Sequence, residues 1–295
     1  EDTARLQSHT WDMVLDWLAA GLDPARSVLF VQSAVKEHAE LHLLLSMLVS
    51  KARLERIPTL KEQIRDLGMD EQTISYGHLG YSVLQAADIL LYRATHVPVG
   101  EDQVPHVELT RELARRFNFV YCQDRSPVFP EPEPQLTTFA RLRGLDGKRM
   151  SKSLGNTILL AEEPAEIEQK VKQAYTDPKK VRKDDPGRPE ADEIDGHPGC
   201  VVWEYHRKFN GAEADSIATL CRAGQLGCVA DKKRLALVMG ETLGPIRERR
   251  VRWEKDPDAV RDVLRDGTRR AREVARQTMD QVRSAMGVKS IVEPE

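Results

Sequence analysis

The chain has 295 residues and a net charge of −3, and its apolar and charged fractions, 40% and 31%, are typical of a water-soluble globular protein of one large or two medium domains. The charge excludes a general attraction to nucleic acid, so any RNA contact needs a local cationic patch. No apolar run approaches the roughly 20 residues that span a bilayer, and four cysteines are too few for a disulfide scaffold, which favours a cytoplasmic location.

The first half of the chain alternates between predicted helices and strands. Period-3.6 patterns predict helices, and short apolar runs between polar residues predict buried strands. This alternation predicts an α/β fold with a Rossmann-like parallel sheet in a first domain of residues 1–160. The predicted helices cover residues 10–20, 36–49, 82–92 and 105–117, and the predicted strands cover residues 27–33 and 97–99.

The second half has a different character. Strand signals vanish after Asn156, and helices separated by proline and glycine continue almost to the end, so residues 161–295 are predicted to form an α-helical domain. Two groups of arginines lie there. Such groups are most often solvated helix faces, and they become candidates for RNA contact only if the first half has a matching function. The groups are Arg247, Arg249, Arg250 and Arg252, and Arg269, Arg270, Arg272 and Arg276.

Asp88 lies within an apolar helix and therefore needs a partner, because a buried carboxylate without one is costly. On spacing alone, a cap on a neighbouring element and a ligand contact are equally good interpretations. Gln85 lies on the same stripe of the helix. His38 and His42 stand four residues apart, as metal ligands can, but no neighbouring glutamate completes a metalloprotease pattern, so a solvated helix face is predicted.

Two loops have the composition of ligand-binding segments. Gly100, Asp102 and Gln103 follow a predicted strand and precede a helix, the position at which open α/β sheets bind ligands. Residues 147–156 form the second loop, with glycines near both ends and with Arg149, Lys152 and hydroxyl side chains between them. Flexible cations of this kind suit a polyphosphate whose charge moves during a reaction.

The order of residues in the second loop is informative. Arg-Met-Ser-Lys-Ser at residues 149–153 resembles the KMSKS signature of class I aminoacyl-tRNA synthetases, with Arg149 in the place of the first lysine. The segments YSVLQAADILLY (81–92) and VPVGEDQVPHVELTRELARRFN (97–118) resemble the tryptophanyl members of that class in particular. Tyrosyl members share the fold and the lysine loop, but their usual pocket sequences differ, so tyrosine is a distant second reading.

The resemblance implies a role for each matching residue. It implies an α-helical tRNA anticodon-binding domain after the catalytic one, and Asp88 as the acceptor for the indole N–H of L-tryptophan. Lys61 is a weaker candidate for a phosphate contact. The remaining implied positions are Tyr81 and Gln103 at the substrate ammonium, Val97, Val99 and Gln85 along the aromatic slot, Gly100 and Asp102 at the ATP ribose, Met150 beside the adenine with Arg149 in the same loop, and Lys152 with Ser151 and Ser153 at the phosphates.

The implied reaction is attack by the tryptophan carboxylate on the α-phosphate of ATP, release of pyrophosphate, and transfer to tRNA(Trp). Mg²⁺ is expected on the phosphates rather than in a protein cage, and the family implies a homodimer. The His-x-Gly-His loop and the first strand of the class are absent from the sequence, and His78-Leu79-Gly80-Tyr81 is not that loop. A fragment is therefore expected, with little activity of its own, and the alternative is a non-catalytic protein that binds tryptophan or tRNA.

Three cysteines in the helical half have a metal-ligand spacing. Cys200, Cys221 and Cys228 are arranged as Cys-x20-Cys-x6-Cys. Some tryptophanyl members hold a [4Fe–4S] cluster on a similar pattern that a fourth cysteine closes three residues later, where Asp231 stands here. The resemblance therefore implies a structural cluster with these four ligands. The other interpretation is three ordinary reduced thiols.

Overall fold

The computed structural model describes residues 3–58, 61, 73–136, 142–151 and 154–288. The chain divides into two compact units, each built from segments far apart in sequence. The first unit comprises residues 1–26 and 141–260, and the second comprises residues 27–140 and 261–295. These units are not the two consecutive stretches predicted from the sequence, and the catalytic and anticodon-binding roles given to those stretches stay predictions.

Most of the described elements are helices, and the strands are only two or three residues long. Two single-turn 3₁₀ helices, Gln32–Ala34 and Glu101–Gln103, lie between them. The regular elements are α1 (Leu6–Ala20), α2 (Glu37–Ser46), α3 (Lys51–Leu54), α4 (Tyr76–Leu79), α5 (Tyr81–Leu90), β1 (His96–Pro98), α6 (Val104–Tyr121), β2 (Glu133–Gln135), α7 (Pro164–Lys172), β3 (Glu193–Ile194), β4 (His197–Pro198), α8 (Val201–Phe209), α9 (Gly211–Arg222), α10 (Cys228–Glu254) and α11 (Pro257–Met286).

Helix α5 is the centre of the second unit. One of its faces is buried through Val83, Ala86, Ala87 and Leu90, and the helix packs against both α2 and α6. Small alanines at this contact allow helices to approach closely, while the larger residues fill the remaining core. The same core contains apolar residues of α2, α6 and α11, namely Leu41, Leu45, Leu109, Leu113, Phe117, Ala271, Ala275 and Met279.

Strands β1 and β2 are parallel, with Val97 opposite Pro134, and helix α6 lies between them in sequence. This strand–helix–strand order confirms the predicted strand at 97–99 and the predicted helix at 105–117, each displaced by a few residues. Pro105 at the start of α6 favours a helix beginning there, because the first turn needs no donor from that residue. The loop after β1 thus lies at the carboxyl end of a parallel strand.

The predicted strand at 27–33 is wrong. Residues 28–31 have no regular secondary structure, and the Val31 N–H donates to the Thr268 hydroxyl of α11 at 3.5 Å. A side chain at Gly267 would place its Cβ only 1.9 Å from the carbonyl oxygen of Leu29, so glycine is required at this close approach. The buried Leu29 explains the apolar pattern, and such a run does not by itself specify a pairing partner.

The first unit is mainly helical. Helix α1 buries Val14, Leu15, Leu18 and Ala19, as its period predicted, and packs on α10. A second cluster joins α7, α8 and α10 with the base of the loop that precedes α7. Its most buried side chains are Ile167, Val171, Val201, Val202, Tyr205, Leu235 and Met239.

Arginines of α10 form hydrogen bonds and ion pairs with α1. Arg249 donates to the carbonyl oxygen of Ala19 at 2.6 Å, and Arg250 donates to Asp12 at 2.9 Å and also to Asp16. Arg247, on the same helix, donates to the carbonyl oxygens of Glu162 and Gly240 at 3.1 and 3.2 Å. The first arginine group is therefore largely engaged within its own unit.

A small hairpin in this unit was not predicted. Strands β3 and β4 are antiparallel and are joined by Asp195 and Gly196, whose φ angles are +53° and +79°. Positive φ at both residues is typical of a two-residue type I′ turn, for which Asp-Gly is a favoured sequence. The expectation that no strand follows Asn156 is therefore wrong, because the turn signal is local and the strands are only two residues long.

Within the described ranges, no helix is both long enough and apolar enough to cross a membrane.

Candidate functional site

One stripe of helix α5 carries polar residues opposite its buried face. Tyr81, Gln85 and Asp88 follow one another at helical spacing, and Tyr92 continues the stripe just beyond the helix end. Tyr81 is exposed, Gln85 and Tyr92 are half-buried, and the Asp88 side chain is 36% exposed. The apolar half of α5 thus fixes the helix in the core, and its other half presents a row of hydrogen-bonding groups.

Asp88 is held by two donors that the sequence interpretation missed. The Gln32 amide donates to both carboxylate oxygens, at 2.7 and 2.8 Å, and the His38 Nδ1 lies 2.7 Å from Oδ1. On its other side, His38 Nε2 lies 2.8 Å from the Tyr92 hydroxyl. The solvated position predicted for His38 is wrong, because this residue is only 4% exposed. The sequence signal for these contacts was the Asp88 carboxylate itself, because a partly buried carboxylate requires hydrogen-bond donors.

The loop after β1 meets the α5 stripe through side-chain amides. Gln85 Nε2 donates to Gln103 Oε1 at 3.3 Å, and Gln103 Nε2 donates to Asp102 Oδ2 at 2.9 Å. Gly100 begins the turn, and its carbonyl oxygen accepts from the Gln103 N–H at 3.0 Å. The structure therefore brings three sequence-predicted residues into one hydrogen-bonded row. Gln85 Oε1 is buried without a hydrogen-bond partner among the described residues.

The two valines of the β1 segment are held by strand pairing. Val97 is half-buried in β1, and the Val99 N–H donates to the carbonyl oxygen of Gln135 at 3.1 Å. Both valines belong to the same unit as Asp88 and as the hydrogen-bonded row of Gln85, Gln103 and Asp102, here called the amide row. Lys61, predicted as a weaker phosphate contact, is exposed, and its N–H lies 3.4 Å from the carbonyl oxygen of Ile57.

The loop of residues 147–156, here called the cationic loop, lies in the first unit. The Asn156 side chain makes the hydrogen bonds at its base. This side chain is 5% exposed. Its Nδ2 donates to Asp146 Oδ1 at 2.8 Å and to the carbonyl oxygen of Arg149 at 3.0 Å, while its Oδ1 accepts from the Ser151 N–H at 2.8 Å. A Cβ at Gly144 would lie 2.2 Å from Asn156 Nδ2, so glycine is required beside the amide.

Charge and packing at the loop base follow from this arrangement. Desolvation tends to raise the pKa of Asp146, but hydrogen bonds from Asn156 and from the Lys148 N–H outweigh it and leave that pKa below its ordinary value. Met150 is half-buried against the core of its unit, and Arg149 is exposed. Lys152 and Ser153, the predicted phosphate-binding pair beside Ser151, lie outside the described residues.

The three candidate cluster ligands share one neighbourhood. Burial raises the pKa of the Cys200 thiol to about 12, and the charges of Asp231, Cys221 and Cys228 contribute to that rise. Asp231 is buried, and its Oδ1 lies 3.1 Å from Nε2 of the fully buried His206. In the described part of the chain, however, no three histidine, cysteine or acidic side chains converge closely enough to hold a metal ion. The predicted [4Fe–4S] site is therefore not supported by the geometry.

Comparisons with known proteins match this arrangement. The family model of class I tRNA synthetases (W and Y) covers residues 1–244. The tryptophan–tRNA ligase of Thermotoga maritima is 49% identical over 290 residues, which span 98% of this chain and 84% of that protein. The corresponding ligase of Aquifex aeolicus is 39% identical over 358 residues, spanning 98% and 88%. The chain belongs to the tryptophan branch of the class I tRNA synthetases.

Solved structures agree with that assignment. Tryptophanyl-tRNA synthetase from Campylobacter jejuni, complexed with ADP and tryptophan, superposes with a TM-score of 0.78 at 28% identity and covers 97% of this chain and 85% of that one. Tyrosyl-tRNA synthetase from Archaeoglobus fulgidus superposes with a TM-score of 0.58 at 20% identity, which shows a shared fold. The Rossmann-like sheet with a helical part, predicted from the sequence, is thereby confirmed as the class I synthetase fold.

Asn156→Ala tests whether this residue organises the synthetase loop. The substitution leaves the Ser151 N–H, the Arg149 carbonyl and Asp146 without their amide partner, so we expect a loss of about 2 kcal/mol or more in the free energy of unfolding. Urea titration measures the change. Asn210→Ala is the matched control, because that half-buried amide donates to the side chain of Glu213, and we expect it to cost about 1 kcal/mol or less. Equal losses for both variants would refute the role of Asn156.

Proposed function

We propose that the protein is a tryptophan–tRNA ligase. It activates L-tryptophan with ATP to tryptophanyl-adenylate, releases pyrophosphate, and transfers the amino acid to tRNA(Trp) in protein synthesis. The observation that carries the proposal is the Asp88 carboxylate, which is fixed by two donors and still presents an exposed edge beside the amide row. A cytoplasmic location belongs to the same proposal, because charged tRNA is used by the ribosomes there.

Asp88 supports a choice of tryptophan by its hydrogen-bonding capacity. The indole ring is a donor only, and an ionised carboxylate is an acceptor only, so the pair is chemically matched. Two carboxylate oxygens offer about four acceptor positions, and three are used by the contacts with Gln32 and His38. The remaining position accepts the indole N–H. A phenylalanine ring would leave it unpaired, and a buried polar group left unpaired is the strongest source of discrimination.

The amide row suits the other end of the amino acid. Gln103 and Tyr81 hold the substrate ammonium, since carbonyl and hydroxyl oxygens accept from it. Val97, Val99 and Gln85 line the slot for the ring. Gln103 Oε1 currently accepts from Gln85, and that bond, 3.3 Å long, is easily exchanged for a charge-assisted one.

ATP contacts are proposed for the loop after β1 and for the loop of residues 147–156. Gly100 and Asp102 contact the ribose, where a carboxylate can accept from the hydroxyls. Arg149 and Met150 lie at the nucleotide, and Lys152, with Ser151 and Ser153, binds the phosphates. Mg²⁺ is commonly carried by nucleotide phosphates with few protein ligands. Mg²⁺ therefore enters with ATP.

The chemistry asks little covalent work of the protein. The tryptophan carboxylate attacks the α-phosphorus while the bond to the leaving pyrophosphate breaks, so the atoms balance without a protein nucleophile. The protein holds the attacking oxygen in line and stabilises the charge that moves to the leaving group. Lys152 is suited to the second task because its ammonium is mobile on a four-carbon stem. A protein that binds tryptophan or tRNA without activation, the alternative, needs no such loop.

Tryptophan-dependent exchange of pyrophosphate into ATP tests this function in the full-length protein. Asp88→Ala removes a charge-assisted hydrogen bond, so we expect KM for tryptophan to rise on the order of 10- to 100-fold. Lys152→Ala removes transition-state stabilisation, so we expect kcat to fall on the order of 100-fold. Asp124→Ala, at an exposed aspartate of the same unit, is the control. Equal exchange with tyrosine, or none with either amino acid, would overturn the proposal.

We further propose a homodimer, supported by a groove of about 820 Å³ in the second unit. Its lining combines apolar residues, among them Phe119 and the 66% exposed Met47, with Arg53, Glu112, Arg115 and Arg116. Phe119 is 75% exposed, which is unusual for so large an apolar side chain. A second copy of the same surface would cover these side chains, as in the two-fold interfaces of most homodimers.

Sedimentation velocity at micromolar concentration tests the dimer. Phe119→Lys places a cation in a groove that already holds Arg115 and Arg116 and should shift the protein to the monomer, since burying an unpaired charge costs several kcal/mol. Leu237→Lys is the control, because Leu237 is 63% exposed on α10 in the other unit. A monomeric wild-type protein, or dissociation by both variants alike, would contradict the proposal.

The iron–sulfur cluster is proposed on the sequence spacing of Cys200, Cys221 and Cys228, which is the observation that supports it. Against it, Asp231 lies beside His206, and carboxylates are weaker cluster ligands than thiolates. We expect wild-type protein purified without oxygen to contain iron and sulfide in equal amounts, and Asp231→Cys to contain more of both. Colourless, iron-free protein in which all three thiols react freely would refute the cluster.

A further inference from the structure

Three aromatic rings surround the back of Asp88 in the second unit. The centroid of the Phe30 ring lies 5.9 Å from that of His38 and 5.3 Å from that of Tyr92, and the His38 and Tyr92 centroids are 5.5 Å apart. Phe30 therefore packs on one face of the His38 ring, and hydrogen bonds hold the ring at both nitrogens. A ring held in this way has one orientation, and so has any group that it binds.

The donor and acceptor roles in this row follow from Asp88. A carboxylate only accepts, so the His38 Nδ1 that lies 2.7 Å from it carries the hydrogen. In the neutral ring Nε2 is then an acceptor, and the Tyr92 hydroxyl 2.8 Å away is the donor to it. Burial raises the pKa of Tyr92, and the charges of Asp88 and Glu37 raise it further, so this hydroxyl keeps its proton. Each hydrogen in the row therefore has one place.

We propose that His38 is a positioning residue, which together with Tyr92 orients the Asp88 carboxylate toward a ring N–H of the substrate. This inference rests on the proposed function and deepens it, because it names the groups that make Asp88 selective. Gln32 donates to both oxygens and so fixes the carboxylate plane, while His38 occupies the rear position of Oδ1. One acceptor position of Asp88 is left, on a side chain that is 36% exposed, and residues that do not touch the substrate set its direction.

A merely structural role and a positioning role predict different kinetics. If His38 and Tyr92 only stabilise the fold, their loss affects every amino acid substrate alike. If they orient Asp88, their loss affects only substrates that give Asp88 a hydrogen. Tryptophan has the N–H, and 3-benzothienylalanine has a sulfur atom in its place with nearly the same ring shape. Comparing KM for these two substrates therefore isolates the orientation of the carboxylate.

The experiment measures pyrophosphate exchange by the full-length protein with both substrates. For Tyr92→Phe, which keeps the ring and removes the donor to His38, we expect KM for tryptophan to rise about fivefold, with kcat and the KM for the analogue unchanged. For His38→Ala we expect a rise on the order of tenfold or more, equivalent to about 1.4 kcal/mol. His38→Asn restores a donor near the Nδ1 position and should recover part of the loss. Tyr121→Phe, at a half-buried tyrosine that packs on Phe117, is the matched control.

Each result decides between the two ideas. Equal changes for tryptophan and its analogue, or none, in both Tyr92→Phe and His38→Ala would overturn the positioning role. Thermal unfolding of each variant identifies a folding defect, and Tyr92→Phe keeps the test open if His38→Ala does not fold. Asp88→Ala is measured in parallel. If it too fails to discriminate the substrates, the proposed role of Asp88 falls; if it discriminates and the His38 and Tyr92 variants do not, only the present inference falls.

Discussion

The arrangement of the second unit depends on one constraint, a carboxylate placed on a helix that is otherwise built for the core. Helix α5 is buried along one face, and Asp88 therefore cannot move to full solvent without moving the helix. The Asp88 side chain is 36% exposed, and hydrogen-bond donors stabilise a partly desolvated carboxylate by replacing the water that it has lost. Gln32, His38 and Tyr92 form the pairing row, and the aromatic packing around them follows from the need to hold that row still.

The sequence could predict the helix and its special residue but not the partners of that residue. Periodicity identified the buried face of α5, and an acid within it was visibly unusual. His38 and Gln32 lie some fifty residues earlier in the chain, and nothing in their local pattern marks them. His38 was interpreted as solvated because no neighbouring glutamate completes a metalloprotease pattern. Side-chain pairing across elements depends on tertiary packing, which a single sequence encodes only as a requirement for some partner.

The cationic loop shows the same division between what is local and what is not. Its cations and hydroxyls are recognisable in sequence, whereas the residue that closes its base is an asparagine without a distinctive pattern. In the sequence Asn156 is only the last residue of the predicted loop, yet in the structure its side chain joins Asp146, Arg149 and Ser151 by hydrogen bonds. A buried amide can satisfy both donors and acceptors, so it can organise a turn of mixed polarity. The unpredicted Asp-Gly hairpin is the opposite case, in which a recognisable local signal was overlooked.

Arginines of equal appearance in sequence have different surroundings in the fold. Those of α10 donate to carbonyl and carboxylate oxygens of α1 and neighbouring segments. If these arginines bound another partner, the contact between α10 and α1 would lose its hydrogen bonds. Along α11, Arg265, Arg269 and Arg276 line a groove of about 950 Å³ and have highly exposed side chains.

The acidic partners of the α11 arginines, Asp262, Asp266 and Glu37, form ion pairs that are weak because at least one side of each is open to water. Exchange of such a carboxylate for a phosphate costs little, whereas the α10 arginines would first have to abandon buried contacts. With a net charge of −3 the protein offers no general attraction to RNA. The predicted tRNA contact, which the sequence assigned to both arginine groups, therefore now depends on α11 rather than on α10.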